Sequence, residues 1–313
     1  MNDVAGSAAE ASRLRSRLAV ALAALLFSTG GACIKLLAGL TPWQRAGWRS
    51  AIAAGFLLVA WPPARRGWSV RSWAFGAFYA ATLTTFVIAN SWTTSANAIF
   101  LQSTAPLWVL LLSPFVLKEK VRRGDLYFMA ALAGGLALCF VGERHAAAQS
   151  TAPFPMRGNL FAVASGVLWA CTIVGLRWFG KRAASGDPSE RDGAGASVIA
   201  GNVLCVAACW LLGLARGESF LAGATGLGAG ELGALAFLGV VQVGLAYVFI
   251  TRGMRRVPAM EASLLLLVEP VFNPIWTFLI HHETPSSWAL GGGAVILGAT
   301  AVHSLLARGK MAA

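Results

Sequence analysis

A chain of 313 residues is long enough for about two soluble domains, but hydrophobic residues make up 57% of it and charged residues only 12%, with a mean hydropathy of +0.66. A water-soluble surface needs roughly 25% charge, so the composition excludes a soluble globular protein and leaves an integral membrane protein. The net charge of +12 falls in short clusters between apolar runs, a positive-inside pattern that excludes a nucleic-acid patch.

A crossing of the hydrocarbon core takes about 20 mainly apolar residues. In chain order the qualifying segments lie near Leu18 to Ala38, Gln44 to Trp61, Trp73 to Trp92, Ala98 to Leu117 and Gly124 to Val141, then Asn159 to Phe179, Gly195 to Ala215, Leu232 to Thr251, Met260 to Ile280 and Ser287 to Leu306. Long apolar runs without alternation predict an all-α membrane protein of ten transmembrane helices and exclude a barrel. The first run follows Arg13, Arg15 and Arg17 but is too long for the apolar core of a cleaved signal, so it is expected to stay as a helix. Loops are short, and the longest, Gly180 to Ala194, is polar and Gly-rich. Cys33, Cys139, Cys171, Cys205 and Cys209 lie inside apolar stretches without metal-ligand spacing; they read as small core residues with no disulfide framework.

Basic residues orient the chain. Nineteen fall on the side of the N-terminus, in the groups around Arg15, Arg66, Lys120, Lys181, Arg255 and Arg308. Five fall opposite: Arg45, Arg49, Arg144, Arg157 and Arg216. The bias places both termini in the cytoplasm. Lys35, within the first helix, is expected to snorkel to water from the helix end, as is Arg177. Trp43, Trp61, Trp68, Trp73, Trp92 and Trp288 are expected as interface anchors.

Sliding the sequence against itself by 164 residues sets Ala98 on Ala262, Pro106 on Pro270, Glu119 on Glu283 and Gly134 on Gly298 without a gap. A shift of 142 sets Phe27 on Trp169 and Lys35 on Arg177. The chain thus divides into a cytoplasmic tail (1–17), a first five-helix unit (18–142), an external linker (143–158), a second five-helix unit (159–306) and a cytoplasmic tail (307–313). Five helices per unit is odd, so the second copy enters the membrane from the other side. Inverted repeats of this kind occur in transporters that alternate access about a site at the repeat interface.

Each unit has a Glu just after its fourth helix (Lys118-Glu119, His282-Glu283) and then a Gly-rich fifth helix (AALAGGLALCFVG, ALGGGAVILGATAVH). With these features the chain resembles the drug/metabolite transporter superfamily, as two EamA-type repeats over nearly its whole length. Within it, TTFVIANSWTTSANAIFLQSTAPLWVLLL and GLAYVFITRGMRRVPAMEASLLLLVEPVF are most similar to the bacterial amino-acid exporters, those for aromatic amino acids above all. The resemblance implies a ten-helix exporter of the bacterial inner membrane. Proton-coupled drug antiporters of the superfamily use a Glu in the first helix, and this chain has no acidic residue there.

Pro106 and Pro270 fall near the middle of their runs, where each is expected to kink its helix and leave a mid-membrane space, as a fixed bend or a hinge. Glu269 lies at about the bilayer centre, where a charge needs a partner. It binds a substrate amine, takes up a proton, or caps the backbone groups freed by Pro270; Asn273 and Thr277 follow on its face. Tyr79, Thr82, Phe86 and Asn90 form one stripe of the third helix, which is expected to face a cavity or another helix. Gln102 and Gln242 are mid-depth amides that line a site or bond between helices. Trp108 and Trp169, with their repeat mates Phe272 and Phe27, are rings at mid-membrane and candidate pocket walls. The glycines 134, 135, 291, 292, 293 and 298 suggest close helix packing. His281, His282 and Glu283 look like metal ligands, but the repeat match makes Glu283 structural, and no metal is expected. No phosphate-binding loop or catalytic dyad is present.

The reading is a secondary transporter exporting amino acids or related small amphipathic metabolites by alternating access. A drug or nucleotide-sugar carrier of the same superfamily is the alternative, and an intramembrane enzyme or receptor a more distant one. Its partners are a small-molecule substrate and the lipid bilayer, with no nucleic acid and no cofactor, and the chain is expected to act as a monomer. The topology has a direct test: an impermeant thiol reagent added outside should label a cysteine placed at Ser150 and miss one placed at Ser189.

Overall fold

Hydrocarbon offers the backbone no hydrogen bonds, so apolar segments of this length satisfy their peptide groups internally as helices. The structure, a computed structural model, describes residues 2–116, 123–143, 150–184, 192–221, 223–253, 257 and 265–312. Among them there is no strand. The helices are α1 (Asn2–Ser28), α2 (Gly30–Leu36), α3 (Pro42–Ala60), α4 (Val70–Trp92), α5 (Ser95–Gln102), α6 (Ala105–Val116), α7 (Arg123–Glu143), α8 (Pro155–Ala184), α9 (Gly193–Ala215), α10 (Ala229–Phe237), α11 (Ala246–Gly253), α12 (Val268–His281) and α13 (Ser287–Ala312). A π-helical segment, Leu238–Leu245, joins α10 to α11. Lys118, Glu119, Arg144, Ser189, Met260 and Ala262 lie outside the described residues.

Eight stretches among the described residues are long and apolar enough to cross a membrane. The two other expected segments are α3, diluted by Gln44, Arg45 and Arg49, and α12, of which 14 residues are described. Sharp starts are written locally. Thr41 and Gln44 form a reciprocal cap on α3, and Ser69 and Ser72 do the same for α4.

Pro106 and Pro270 do not kink continuous helices. They are the second residue of α6 and the third of α12, first-turn positions where a missing N–H removes no helical bond. The chain breaks just before them, at Ser103 and Thr104 and at Leu267. At the first break the hydroxyls of Ser103 and Thr104 donate to Ile99 O (2.7 Å) and Leu101 O (2.6 Å). A third break, at Thr29, divides α1 from α2; Ser28 and Thr29 donate there to Leu25 O (2.6 Å) and Leu26 O (2.7 Å).

The helices of the two halves interleave. α4 packs along α8 and α9, α8 also meets α5 and α6, and α1 lies against α11 and α12. α3 crosses α9 and the π segment, and α7 pairs with α13. Small residues set the closest crossings: a Cβ on Gly201 would stand 2.8 Å from Gly76 O, and one on Gly292 2.6 Å from Gly135 O. Of the six glycines expected to pack closely, Gly135, Gly292 and Gly293 do, whereas Gly134, Gly291 and Gly298 face open space. The match of Gly134 to Gly298 therefore reports shared ancestry of the units more than a contact.

Two expectations about surface residues fail. Lys35 does not snorkel: it is buried, 8% exposed, and its Nζ is 2.8 Å from Glu283 Oε2 while donating to Thr93 O (3.0 Å) and Thr151 O (2.5 Å). Glu283 Oε1 accepts from Ser95 N at 2.6 Å, so its charge sits on the N-terminus of α5, where a helix favours an anion. Trp43 and Trp61 are buried rather than set in an interfacial belt, in contrast to the exposed Trp68, Trp73 and Trp288. Trp43 Nε1 donates to Glu218 Oε2 at 2.7 Å and its ring carries the Arg216 guanidinium. Trp43 thereby fastens the connection after α9 onto α3.

Removing one partner of a buried pair strands the other charge. Lys35→Met should cost about 3 to 5 kcal/mol of stability, and Lys35→Met/Glu283→Met should regain part of that loss. Thermal unfolding of the detergent-solubilised protein checks both; a double variant no more stable than the single one would mean the two charges are not coupled.

Candidate functional site

The breaks and the π segment meet around one cavity. Its lining comes from α1 (Phe27), α3 (Arg49), α4 (Thr82, Leu83, Phe86), α5 (Gln102), α8 (Trp169), the π segment and α11 (Gln242, Val243, Tyr247) and α12 (Glu269). Its volume is about 60 Å³, far below the roughly 300 to 1,000 Å³ of small-molecule sites, so in this state it is a narrow cleft that must widen to admit a solute. Irregular backbone at membrane depth is tolerated where it lines such a space.

Six of the residues expected at a site line it: Thr82, Phe86, Gln102, Trp169, Gln242 and Glu269. Thr82 and Phe86 are one turn apart on α4 and so share a face. Gln102 Nε2 donates to Ser165 Oγ at 2.8 Å, and Gln242 Nε2 donates to Phe27 O at 3.4 Å with its Oε1 unpartnered. Both amides therefore bond between helices and also present an edge to the cavity. Glu269 lines the cavity from the first turn of α12.

The other four are elsewhere. Tyr79, 2% exposed, stands behind the wall with its ring 4.9 Å from that of Tyr247. Asn90 donates to Phe86 O at 3.1 Å within α4. Asn273 is fully buried with both amide atoms unpartnered, close to Gly31 and Ser95, between the cavity and the Lys35–Glu283 pair. Trp108 donates to Thr104 Oγ1 at 3.3 Å, across the helix break, and does not line the cavity. Of the four symmetric rings only Phe27 and Trp169 do; Phe272 lies beside Trp276, 6.0 Å between centroids.

Arg49 and Tyr247 were missed. Arg49 reads as one of the external basic residues, but α3, from Pro42, carries it two turns deep, where it is buried. Tyr247 follows Gln242 by five residues, a spacing that ordinary helical periodicity puts on different faces; the wider π turn brings both to the cavity. A larger, shallower depression lined by Ala51, Ala54, Val203, Val206, Ala207, Trp210, Phe220 and Leu221 has no polar side chain to orient a solute. Among the described residues no cluster of His, Cys, Asp and Glu could hold a metal ion.

A bundle of membrane-crossing helices, broken around a cavity that both halves of the chain line, defines a multi-pass membrane transporter. The signature of the EamA-like transporter family matches residues 15–141 and again 156–305, and the chain belongs to that family. A solved structure titled "Crystal structure of protein" shares the fold, with a TM-score of 0.60 at 24% identity over 94% of this chain and 97% of that one. No curated protein gives a significant match.

The lining separates two tryptophans that the sequence could not. Trp169→Ala should weaken transport about tenfold, roughly 1.4 kcal/mol of lost contact, with folded yield retained, while Trp108→Ala should leave transport close to that of the unmutated protein. Solute exchange in proteoliposomes, normalised to the monodisperse fraction, measures both.

Proposed function

We propose that the chain is a secondary transporter that exports amino acids or related small amphipathic metabolites across the bacterial inner membrane by alternating access. The observation that carries this reading is the shared cavity: Phe27, Arg49, Thr82, Phe86 and Gln102 come from the first family match, and Trp169, Gln242, Tyr247 and Glu269 from the second. A site at the interface of two repeats is where rocking of one half against the other switches access. Four aromatic rings and a few polar groups suit a small solute with an apolar side chain.

The contact pattern supports ten spans arranged as two inverted five-helix repeats. The packing of α8, from the second half, on α4, α5 and α6 of the first is matched by that of α1, from the first half, on α11 and α12 of the second. The crossing of α4 with α9 is likewise matched by that of α3 with the π segment. In this arrangement both termini are cytoplasmic, and the Lys35–Glu283 pair ties α2 to the outer end of α12. Asn273 and Ser95, with unpartnered polar atoms, lie between that pair and the cavity, so exposure of the cavity to the outside requires the pair to part.

A panel of labelled amino acids presented to proteoliposomes tests the substrate class: saturable exchange of aromatic or large aliphatic members is expected, and failure to exchange any member would remove amino acids from the reading. Glu269 serves the solute rather than proton coupling in this account. Glu269→Gln should therefore weaken exchange to a similar extent at every pH set equal on both sides, and an imposed pH gradient should stimulate the unmutated protein little. A large stimulation that disappears in Glu269→Gln would make Glu269 the proton site.

A further inference from the structure

Arg49 is 1% exposed and carries a guanidinium with five N–H donors. Its Nη2 donates to Leu83 O at 3.3 Å, and its Nε has no partner. The phenols of Tyr79 and Tyr247 and the thiols of Cys205 and Cys209 lie within electrostatic range of it, with no carboxylate among them. A buried charge persists only when something compensates it, and the long bond to one carbonyl is a weak compensation. The residue nevertheless borders the cavity, where widening of the cleft would bring a solute to it.

Glu269 presents the complementary problem. It borders the same cavity from α12, and among the described residues no ion pair joins it to Arg49. A cation and an anion that share a low-dielectric space without touching each require a counter-charge. A solute bearing only a carboxylate or only an amine would satisfy one and leave the other exposed to the occupied site. A zwitterion satisfies both and keeps the loaded cavity neutral.

We propose that Arg49 is the binding group for a substrate carboxylate and that, with Glu269 taking the amine, the cavity selects zwitterionic amino acids. The planar fork of the guanidinium matches a carboxylate through two parallel hydrogen bonds, and Phe27, Phe86 and Trp169 receive the apolar side chain. This rests on the amino-acid reading above and names the groups that would enforce it. An alternative role, bracing α3 to α4 through Leu83 O, predicts a loss that does not depend on which solute is offered.

Calorimetric titration of the nanodisc-embedded protein with L-phenylalanine, phenethylamine and 3-phenylpropionate distinguishes the two. The unmutated protein should bind phenylalanine about tenfold or more tighter than either single-charge analogue. Arg49→Gln should weaken phenylalanine and phenylpropionate by about tenfold and leave phenethylamine within about twofold, and Arg49→Lys should fall between. Equal binding of phenylalanine and phenethylamine by the unmutated protein overturns the assignment, with no variant needed. So does an Arg49→Gln or Arg49→Lys variant that weakens all three ligands alike. Binding of none of the three by the unmutated protein overturns the amino-acid reading itself, and the assignment with it, whereas unselective variants with phenylalanine binding intact in the unmutated protein overturn the assignment alone.

Discussion

Inside a bilayer a peptide group that leaves its helix has no water to turn to, and every break must be satisfied by protein or by a cavity. This chain interrupts its helices at Thr29, at Ser103 and Thr104, through Leu238–Leu245 and at Leu267. All four interruptions gather around one polar space. Hydroxyls add bonds to the carbonyls of the last turn at two of them, and the two prolines restart helices where their missing N–H removes no bond. The cavity follows from the breaks, and the residues that border the breaks become its lining.

Charge obeys the same constraint in two different ways. Lys35 and Glu283 compensate each other and fasten three elements, α2, α5 and α12, through a set of short hydrogen bonds. Arg49 and Glu269 have no such mutual partner and face the space instead. The first arrangement ties helices together, and the second is the one on which the proposed zwitterion site rests. Aromatic rings link the two kinds of wall: Tyr247 contacts Phe27 at 5.2 Å and Tyr79 at 4.9 Å between centroids, so the cavity is backed by core packing rather than by lipid.

Much of this was legible in the sequence, because hydrophobic run length is a direct record of bilayer thickness and the gapless matching of Pro106 with Pro270 is a direct record of duplication. Thr82, Phe86, Gln102, Trp169, Gln242 and Glu269, which line the cavity, stand out in the sequence because a polar or large aromatic residue at mid-depth needs a reason to be there. Depth itself was harder to read. Arg49 and Lys35 read as charges facing water since an apolar run does not reveal its neighbours: Lys35 sits in the last turn of α2 yet is enclosed by Glu283, Thr93 and Thr151, and Arg49 is two turns into α3. A proline in the middle of an apolar run looks the same whether it bends a helix or begins one. The π segment carries no periodic signal of its own, so Tyr247 stayed hidden.

The central claim is that one cavity between the two halves is the transport site and faces the two sides of the membrane in turn. A single cysteine replacing Thr82, in a protein whose native cysteines are replaced, puts a reporter on the cavity wall. Impermeant thiol reagents applied to oriented proteoliposomes from either face, with and without a transported amino acid, give the decisive measurement. The account predicts labelling from both faces and protection by the solute on both. Labelling from neither face, or labelling that the solute does not slow, would contradict it.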